Sequence, residues 1–322
     1  MERAMDDSRM MLFAGTASPD LAAEIAGHLK MKLGAVEISR FSDSEIYVRF
    51  LESVRGAHAI IIQSICQPVN DNILELLIMV DALKRASAHT VSAVIPYYGY
   101  SRQDKKTLAR EPITAKLVAD LLVTAGVDRV LTMDLHAGQI QGYFNVPVDH
   151  LTALPIIADY FSAKKLTDLV VISPDVGRVK MTKKLADKLD ADMAVMAKRR
   201  PAHNVAEIAY VIGDVENKNA IIVDDMIDTG GSICRSVEAL RKCDALDIYV
   251  ACTHAILSGS AVENLNLAPV KEVVVTNTIP LAIEKHIDKL TVLSVGSIFA
   301  RTIKNVYENK SVSEIFGGQE HV

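Results

Sequence analysis

The chain has few cysteines and no excess of positive charge, and each shortage excludes a class of protein. Its four cysteines, among 322 residues, include no Cys-x-x-Cys pair and no zinc-finger spacing, so we expect neither a disulfide framework nor a cysteine-bound metal. Free thiols in a reducing compartment, the cytoplasm, are expected instead. The 35 basic and 40 acidic residues give a formal net charge of −5, which is not typical of a nucleic-acid-binding protein.

Long apolar runs are also missing. No uncharged apolar run reaches the ~18 residues that a membrane-spanning helix needs. The first nine residues have mixed charge and no apolar core, so we expect no secretory signal. Half of the residues are nevertheless hydrophobic, and the length suits two domains of about 150 residues each.

Short apolar runs alternate with amphipathic segments along the whole chain. Runs with the character of strands cover residues 11–14, 58–63, 91–96, 129–134, 169–173, 193–197, 220–223, 248–253, 272–276 and 289–294. Nearly continuous apolar strands separated by helices predict parallel sheets that are covered on both faces. We therefore predict an α/β fold of two tandem doubly wound domains, residues 8–152 and 153–322.

Residues 221–232 contain the most informative motif, Ile-Ile-Val-Asp-Asp-Met-Ile-Asp-Thr-Gly-Gly-Ser. A β-branched run stops at two aspartates, and a Gly-rich turn leads into the amphipathic segment 233–243, which predicts a strand, a loop and a helix. Open α/β sheets bind ligands in such loops at the carboxyl ends of their strands. Backbone N–H groups of residues 228–232, at the start of the helix, would form a nest for a phosphate dianion.

The acidic residues of this motif indicate a sugar phosphate. Asp224 and Asp225 suit sugar hydroxyls, bound directly or through Mg²⁺, and no Gly-Lys-Ser/Thr sequence of a nucleoside-triphosphate loop is present. The alternative, a surface turn with scattered acids, would be costly directly after a buried strand. We predict a sugar-phosphate cradle formed by Asp224, Asp225, Asp228, Thr229, Gly230, Gly231 and Ser232.

Three polar segments at predicted strand ends suit a nucleotide or a metal. In residues 95–106, Arg102 could lie on a purine face while the lysines offset phosphate charge, although an exposed charged loop would look similar. His136 could contact phosphate or reach Mg²⁺ through neighbouring groups, or it could be structural. Asp175, at a strand-to-turn junction, suits a hard cation.

A run of three cations covers residues 198–200. Such runs usually form a solvated face. This run lies in the half of the chain that contains the cradle, where cations could stabilise a polyphosphate transition state.

Together and in this order, the segments resemble the class I ribose-phosphate diphosphokinases, from Phe41-Ser-Asp-Ser-Glu to Ser311-Val-Ser-Glu-Ile-Phe. The resemblance implies two phosphoribosyltransferase-like domains that transfer the diphosphoryl group of ATP to the anomeric hydroxyl of ribose 5-phosphate. The products would be phosphoribosyl diphosphate and AMP. It also implies Mg²⁺ as cofactor and a homo-oligomer, a hexamer built from dimers. A phosphoribosyltransferase, which would share only the cradle, and a non-catalytic synthetase-associated subunit are the alternatives.

The resemblance also implies roles for particular residues. The catalytic cations would be Lys198 and Arg200, and the Mg²⁺-linked residues would be His136 and Asp175. ATP would be bound by Phe41, Asp43 and Glu45 of one subunit and by Arg102, Gln103 and His136 of another. Alternation along a predicted strand places Phe41, Asp43 and Glu45 on one side. A regulatory phosphate would be bound by Ser53, Arg55, Ser311, Val312, Ser313 and Phe316.

The chain departs from the family in three places. Arg178 follows Gly177 where the family usually has a second glycine, Met-Thr-Lys at 181–183 replaces a run such as Arg-Ala-Arg, and Lys-Lys-Thr-Leu at 105–108 replaces an Arg-rich run. Because arginine cannot adopt glycine-only conformations, we expect the backbone or the phosphate contacts near Arg178 to differ.

Overall fold

The chain folds into two compact units. The structure is a computed structural model that describes residues 9–199 and 208–313, with side chains at all of these positions except 198, 199, 208 and 209. Among them, the first unit contains residues 9–152, 278–280 and 295–313, and the second contains residues 153–199, 208–277 and 281–294. The chain passes from the first unit to the second between Thr152 and Ala153. Residues 295–313 differ from the prediction because they pack with the first unit.

Fourteen strands lie within the described residues. Those of the first unit are β1 (Met10–Ala14), β2 (Val36–Arg40), β3 (Ile46–Phe50), β4 (His58–Ile62), β5 (Thr90–Ile95), β6 (Arg129–Met133) and β7 (Val148–Leu151). Those of the second are β8 (Leu169–Ser173), β9 (Asp192–Arg199), β10 (Ile208–Ile212), β11 (Asn219–Ile227), β12 (Ile248–Ala255), β13 (Glu272–Thr276) and β14 (Leu290–Leu293).

Eight α-helices connect them in the same part of the chain. They are α1 (Pro19–Leu29), α2 (Val69–Arg85), α3 (Thr114–Ala125), α4 (Leu154–Lys164), α5 (Val179–Leu189), α6 (Gly231–Lys242), α7 (Ala261–Leu267) and α8 (Gly296–Tyr307). Short 3₁₀ helices occur at Gly138–Tyr143, Val176–Arg178 and Ile283–Lys285. No helix in the ranges 9–199 and 208–313 has the length and apolarity needed to cross a membrane.

The first unit has a parallel sheet with the strand order β1-β4-β5-β6-β7, and an antiparallel hairpin of β2 and β3. Alternate side chains of the strands, including Phe13 and Ile61, pack against α2 and α3 on one face. Helix α1 lies against β1 and β4, and α8 packs against α1. Because α8 buries Ile298, Phe299 and Ile303, its apolar face accounts for the return of the chain to this unit.

The second unit has a seven-stranded sheet with the order β10-β9-β8-β11-β12-β13-β14. All pairs are parallel except β9 with the edge strand β10. The chain moves from β8 outward to β9 and β10, and then returns to the other side of β8 with β11. The strand order therefore reverses between β8 and β11, where open α/β sheets have their ligand crevice. The predicted α/β fold of two tandem domains with parallel sheets is confirmed.

A buried polar network fixes the loop that follows β1. The carboxylate of Glu75, on α2 and only 2% exposed, accepts hydrogen bonds from the backbone N–H of Thr16 at 2.7 Å, the Thr16 hydroxyl at 2.7 Å and the Gln63 amide at 2.8 Å. The side-chain oxygen of Gln63, Oε1, in turn accepts a hydrogen bond from the backbone N–H of Ala17 at 2.9 Å. This network holds the carboxyl ends of β1 and β4 in place.

Glu75→Ala is expected to lower the free energy of unfolding of the protein by about 2–3 kcal/mol, because buried donors on Thr16 and Gln63 lose their acceptor. Denaturant unfolding followed by circular dichroism measures the change. Asp81→Ala is the matched control on α2: its carboxylate is exposed and pairs with Arg85, an i,i+4 pair that contributes only about 0.3–0.5 kcal/mol. Equal losses in both variants would contradict the structural role of Glu75.

Candidate functional site

The aspartate pair lies at the strand reversal of the second unit. Asp224 and Asp225 belong to β11, which continues to Ile227, so the prediction that they follow the strand in a loop is wrong. Met226 and Ile227 extend the apolar run and pair with His254 and Ala255 of β12, which keeps the backbone in the sheet. The two carboxylates are therefore held by a central strand.

A tight turn connects β11 to α6. Gly230 has φ of 75°, in the left-handed region, and its carbonyl accepts the first helical hydrogen bond, from the N–H of Cys234 at 3.0 Å. The nearest heavy atom to a Cβ at Gly230 would be 3.6 Å away, so glycine is needed for its conformation and not for space. The N–H groups of the first helical turn have no acceptor within the helix, which makes this end suited to an anion.

Two side chains that the sequence analysis missed hold this turn. The Ser258 hydroxyl donates to the Asp228 carboxylate, and the N–H of Ser258 donates to the Asp228 carbonyl at 3.0 Å. The Asn264 amide donates to the Thr229 carbonyl at 2.9 Å. These residues lie about thirty positions along the chain, after β12, so no local pattern could have identified them. They fix the backbone of the turn before any ligand binds.

Arg178 pairs with both aspartates. Its Nε lies 3.2 Å from Asp224 Oδ1 and its Nη2 lies 2.8 Å from Asp225 Oδ1. Burial, together with a hydrogen bond to Asp225 and the charge of that neighbour, raises the pKa of Asp224 to about 8, while Arg178 opposes the rise. The φ of −99° and ψ of 1° at Arg178 are open to any residue, so the arginine is accommodated without a glycine-only conformation. Its side chain is what this position adds to the site.

Asp175 caps the 3₁₀ helix that follows β8. Its Oδ1 accepts from the N–H of Gly177 at 2.8 Å and from the N–H of Arg178 at 3.2 Å. Within the described residues, no group of three or more His, Cys, Asp or Glu side chains could hold a metal ion. Metal roles for Asp175 and His136 therefore stay predictions.

The segment with Phe41, Asp43 and Glu45 is the turn between β2 and β3. The predicted placement of these residues along a strand is wrong, because the turn closes through hydrogen bonds from Phe41 N to Glu45 O and from Ser44 N to Phe41 O, both 2.9 Å. Ser44 adopts a left-handed φ of 76°. All of these side chains are exposed, and Phe41 (56% exposed) contacts the Tyr47 ring edge to face.

Arg102, Gln103 and His136 lie in loops at the carboxyl ends of the neighbouring strands β5 and β6. Asp104 joins the two loops: its carboxylate accepts from the Gln139 amide at 2.8 Å and its carbonyl accepts from the Tyr143 hydroxyl. Arg102 and Gln103 are exposed and His136 is half-buried. The structure therefore brings these predicted ATP-binding residues to one edge of the first sheet.

The predicted catalytic cations lie largely outside the described residues. The backbone of Lys198 belongs to β9, where it pairs with Ala209 of β10. Its side chain, and all of Arg200, are among the residues that are not described.

The predicted regulatory residues occur at two places in the first unit. Ser53 and Arg55 are exposed just before β4, where Arg55 donates to the Ser87 hydroxyl at 3.3 Å and Arg9 donates to the Ser53 carbonyl. Ser311, Val312 and Ser313 follow α8, and the hydroxyls of Ser311 and Ser313 lie 2.8 Å apart. Tyr307, at the end of α8, contacts the ring of His58 at the start of β4, which brings the two segments to one edge. Phe316 lies outside the described residues.

Comparison with known proteins identifies relatives of both halves. A family described as the N-terminal domain of ribose phosphate pyrophosphokinase matches residues 10–126, and the phosphoribosyl synthetase-associated domain matches residues 189–317. The ribose-phosphate pyrophosphokinase of Caldanaerobacter subterraneus subsp. tengcongensis is 56% identical over 308 residues, covering 95% of this chain and 98% of that protein. That of Bacillus subtilis is 51% identical over 316 residues, covering 98% and 100%.

A solved structure is similar to the whole chain. The phosphoribosylpyrophosphate synthetase from Mycobacterium smegmatis superposes with a TM-score of 0.89 at 46% identity, covering 94% of this chain and 100% of that one. The Gly-rich turn at the start of α6 lies beside paired aspartates at the strand reversal, and the sequence is similar to these relatives along nearly its full length: this chain belongs to the ribose-phosphate pyrophosphokinase family.

Proposed function

We propose that this protein is a ribose-phosphate diphosphokinase. It transfers the diphosphoryl group of ATP to the anomeric hydroxyl of ribose 5-phosphate and forms phosphoribosyl diphosphate and AMP. The observation that supports this most directly is the pre-formed nest between β11 and α6 with Asp224 and Asp225 beside it, in a chain that matches the family over almost its full length.

Ribose 5-phosphate occupies the cradle of the second unit. The N–H groups at the start of α6 bind the 5-phosphate, and the side chains of Asp228, Thr229 and Ser232 surround it. Asp224 and Asp225 accept hydrogen bonds from the ribose hydroxyls. Ser258 and Asn264 keep the turn in its binding conformation, so that little ordering is required when the sugar phosphate enters.

ATP binds to residues of the first unit. The exposed turn with Phe41, Asp43 and Glu45 takes the adenine in one subunit, and Arg102, Gln103 and His136 of another subunit complete the site. This division requires a homo-oligomer, and we propose a hexamer built from dimers. All four cysteines are free, which agrees with a cytoplasmic enzyme.

The acidic pair has the donors that Mg²⁺ prefers. Two adjacent carboxylates fit this ion, which commonly binds one or two carboxylates and is completed by substrate phosphates and water. Asp224 and Asp225, with Asp175 of the same unit, are the groups that would hold it. When bound, Mg²⁺ neutralises polyphosphate charge.

Catalysis relies on charge stabilisation. Lys198 and Arg200 would stabilise the charge that develops on the phosphates as the bond to the α-phosphate breaks.

A regulatory phosphate binds at a second site, since hydroxyls and an arginine at one edge suit this anion. The residues of this site are Ser53, Arg55, Ser311, Val312, Ser313 and Phe316.

AMP is expected to form from ATP, Mg²⁺ and ribose 5-phosphate, and to require the sugar. Chromatographic quantification of AMP, with and without inorganic phosphate, tests the reaction and the regulatory site together. Stimulation by phosphate would support the regulatory site. Absence of AMP in both conditions would favour a non-catalytic subunit, and consumption of phosphoribosyl diphosphate with a free base but without ATP would identify a phosphoribosyltransferase.

A further inference from the structure

The guanidinium of Arg178 lies against the carboxylates of Asp224 and Asp225. Arg178 follows β8 and the two aspartates belong to β11, so the pairing bridges the strands at which the sheet order reverses. One nitrogen contacts each carboxylate, at 3.2 Å and 2.8 Å. The groups that the proposed function assigns to the sugar thus already have a cationic partner.

The surroundings of Arg178 hold it at this position. Its N–H donates to the Asp175 carboxylate, and its carbonyl accepts from the buried Thr182 hydroxyl at 3.0 Å. The side chains of Arg178 and Asp225 are 15% and 4% exposed. Ion pairs that are shielded from water are attenuated by solvent much less than surface pairs.

A metal ion that binds to Asp224 and Asp225 lies close to the positive charge of Arg178. Because Arg178 contacts both side chains of the pair, its guanidinium makes the site one charge less negative than the aspartates alone would make it. A divalent ion that approaches the carboxylates meets weaker attraction and, from the guanidinium, like-charge repulsion. Removal of the positive charge should therefore strengthen binding of a metal ion to the pair.

We propose that Arg178 is a positioning residue that acts as an internal cation of the cradle and competes with divalent metal, and with the sugar hydroxyls that the metal assists, for Asp224 and Asp225. Ligand entry opens at least one of the two ion pairs. This inference rests on the proposed function. It adds that Arg178 sets how strongly the aspartate pair binds a divalent metal ion.

The test compares Arg178→Gln with the unsubstituted protein in binding of Mn²⁺ alone, measured by titration calorimetry and by the electron paramagnetic resonance signal of free Mn²⁺. We expect the affinity for Mn²⁺ to be about tenfold higher in Arg178→Gln, because the substitution removes a positive charge that repels the metal ion at short range in a partly shielded site. Arg178→Lys, with one compact charge that cannot bridge both carboxylates, should be intermediate. Lys180→Gln removes the same charge from an exposed position nearby and should leave the affinity unchanged.

Loss of Arg178 leaves a buried carboxylate pair without its partner and can lower the stability of the protein. The increase in melting temperature that Mn²⁺ causes is therefore measured on each variant, because it reports metal binding even in a weakened fold. Unchanged or weaker Mn²⁺ binding in Arg178→Gln would overturn the inference. In turnover, KM for ribose 5-phosphate should fall at limiting Mg²⁺ while kcat changes less, which a merely structural role would not produce.

The two proposals can fail separately. If the unsubstituted protein forms no AMP, the proposed function fails, yet the Mn²⁺ comparison still tests the competition. If it forms AMP and Arg178→Gln binds Mn²⁺ as the unsubstituted protein does, only the inference about Arg178 is rejected.

Discussion

Replacement of Lys198 by alanine is expected to reduce kcat by about 10³-fold, the loss typical of removing one group that stabilises charge in a transition state. Binding of ribose 5-phosphate should change less than about twofold, because the proposed site for that ligand consists of the turn before α6 and the aspartate pair. Single-turnover kinetics and calorimetric titration of ribose 5-phosphate measure the two quantities separately.

The position of the backbone at Lys198 supports this expectation. Strand β9 is the direct neighbour of β8, and β8 borders the strand reversal at which the cradle lies. Lys198 is the penultimate residue of β9, so it lies near the carboxyl end of a strand two places from β11. The backbone of Lys198 therefore lies at the same edge of this sheet as the aspartate pair of β11.

The matched control is Lys188→Ala, which removes the same charge from an exposed position on α5. It should leave kcat within about twofold, since Lys188 is exposed in the last turn of α5 and salt strongly screens exposed charges. A parallel loss of kcat and of ribose 5-phosphate affinity in Lys198→Ala would contradict a transition-state role and would make Lys198 a substrate-binding residue instead.

The features that the sequence predicts well are local ones. Runs such as Val170-Val171-Ile172 and Ile221-Ile222-Val223 are buried on both sides and form neighbouring strands, as uninterrupted β-branched sequence indicates. The Gly-rich turn before α6 is also visible locally, because the left-handed conformation at Gly230 favours glycine.

The features that the sequence does not predict depend on contacts between distant residues. Asp224 looks like a strand terminator by composition, yet β12 supplies partners that keep β11 extended through Ile227. Ser258 reaches Asp228 only because β12 lies beside β11. Helix α8 likewise packs in the first unit because it contacts α1, although it follows the second unit in the sequence.

The turn with Phe41 and Glu45 shows the same limit at shorter range. An alternating pattern over 41–45 predicts a strand, but the left-handed conformation of Ser44 and the closure from Phe41 to Glu45 make it a turn. Alternation over five residues fits both structures, and pairing of β2 with β3 on either side selects the turn.

Asp225→Asn is expected to raise KM for ribose 5-phosphate by about 10–100-fold, because a hydrogen bond to a charged group contributes about 1.5–3 kcal/mol and a neutral amide loses most of it. The change in kcat should be much smaller. Steady-state kinetics at saturating ATP measure both values. Asp187→Asn, on an exposed part of α5, is the control that alters a carboxylate outside the site. An unchanged KM with a large fall in kcat would remove Asp225 from the sugar site and favour its action as a base.

The opposite signs expected at Asp225 and Arg178 permit a stricter test. Asp225→Asn should weaken sugar binding, whereas Arg178→Gln should strengthen it at limiting Mg²⁺. If the arginine acts through the aspartate pair, its effect should shrink in the double variant Asp225→Asn/Arg178→Gln, because part of the charge for which it competes is gone. Residues in one ion-pair network show such coupling, whereas independent residues would give effects that add. Additive changes in KM would mean that Arg178 influences the sugar by a route other than the carboxylates that it contacts.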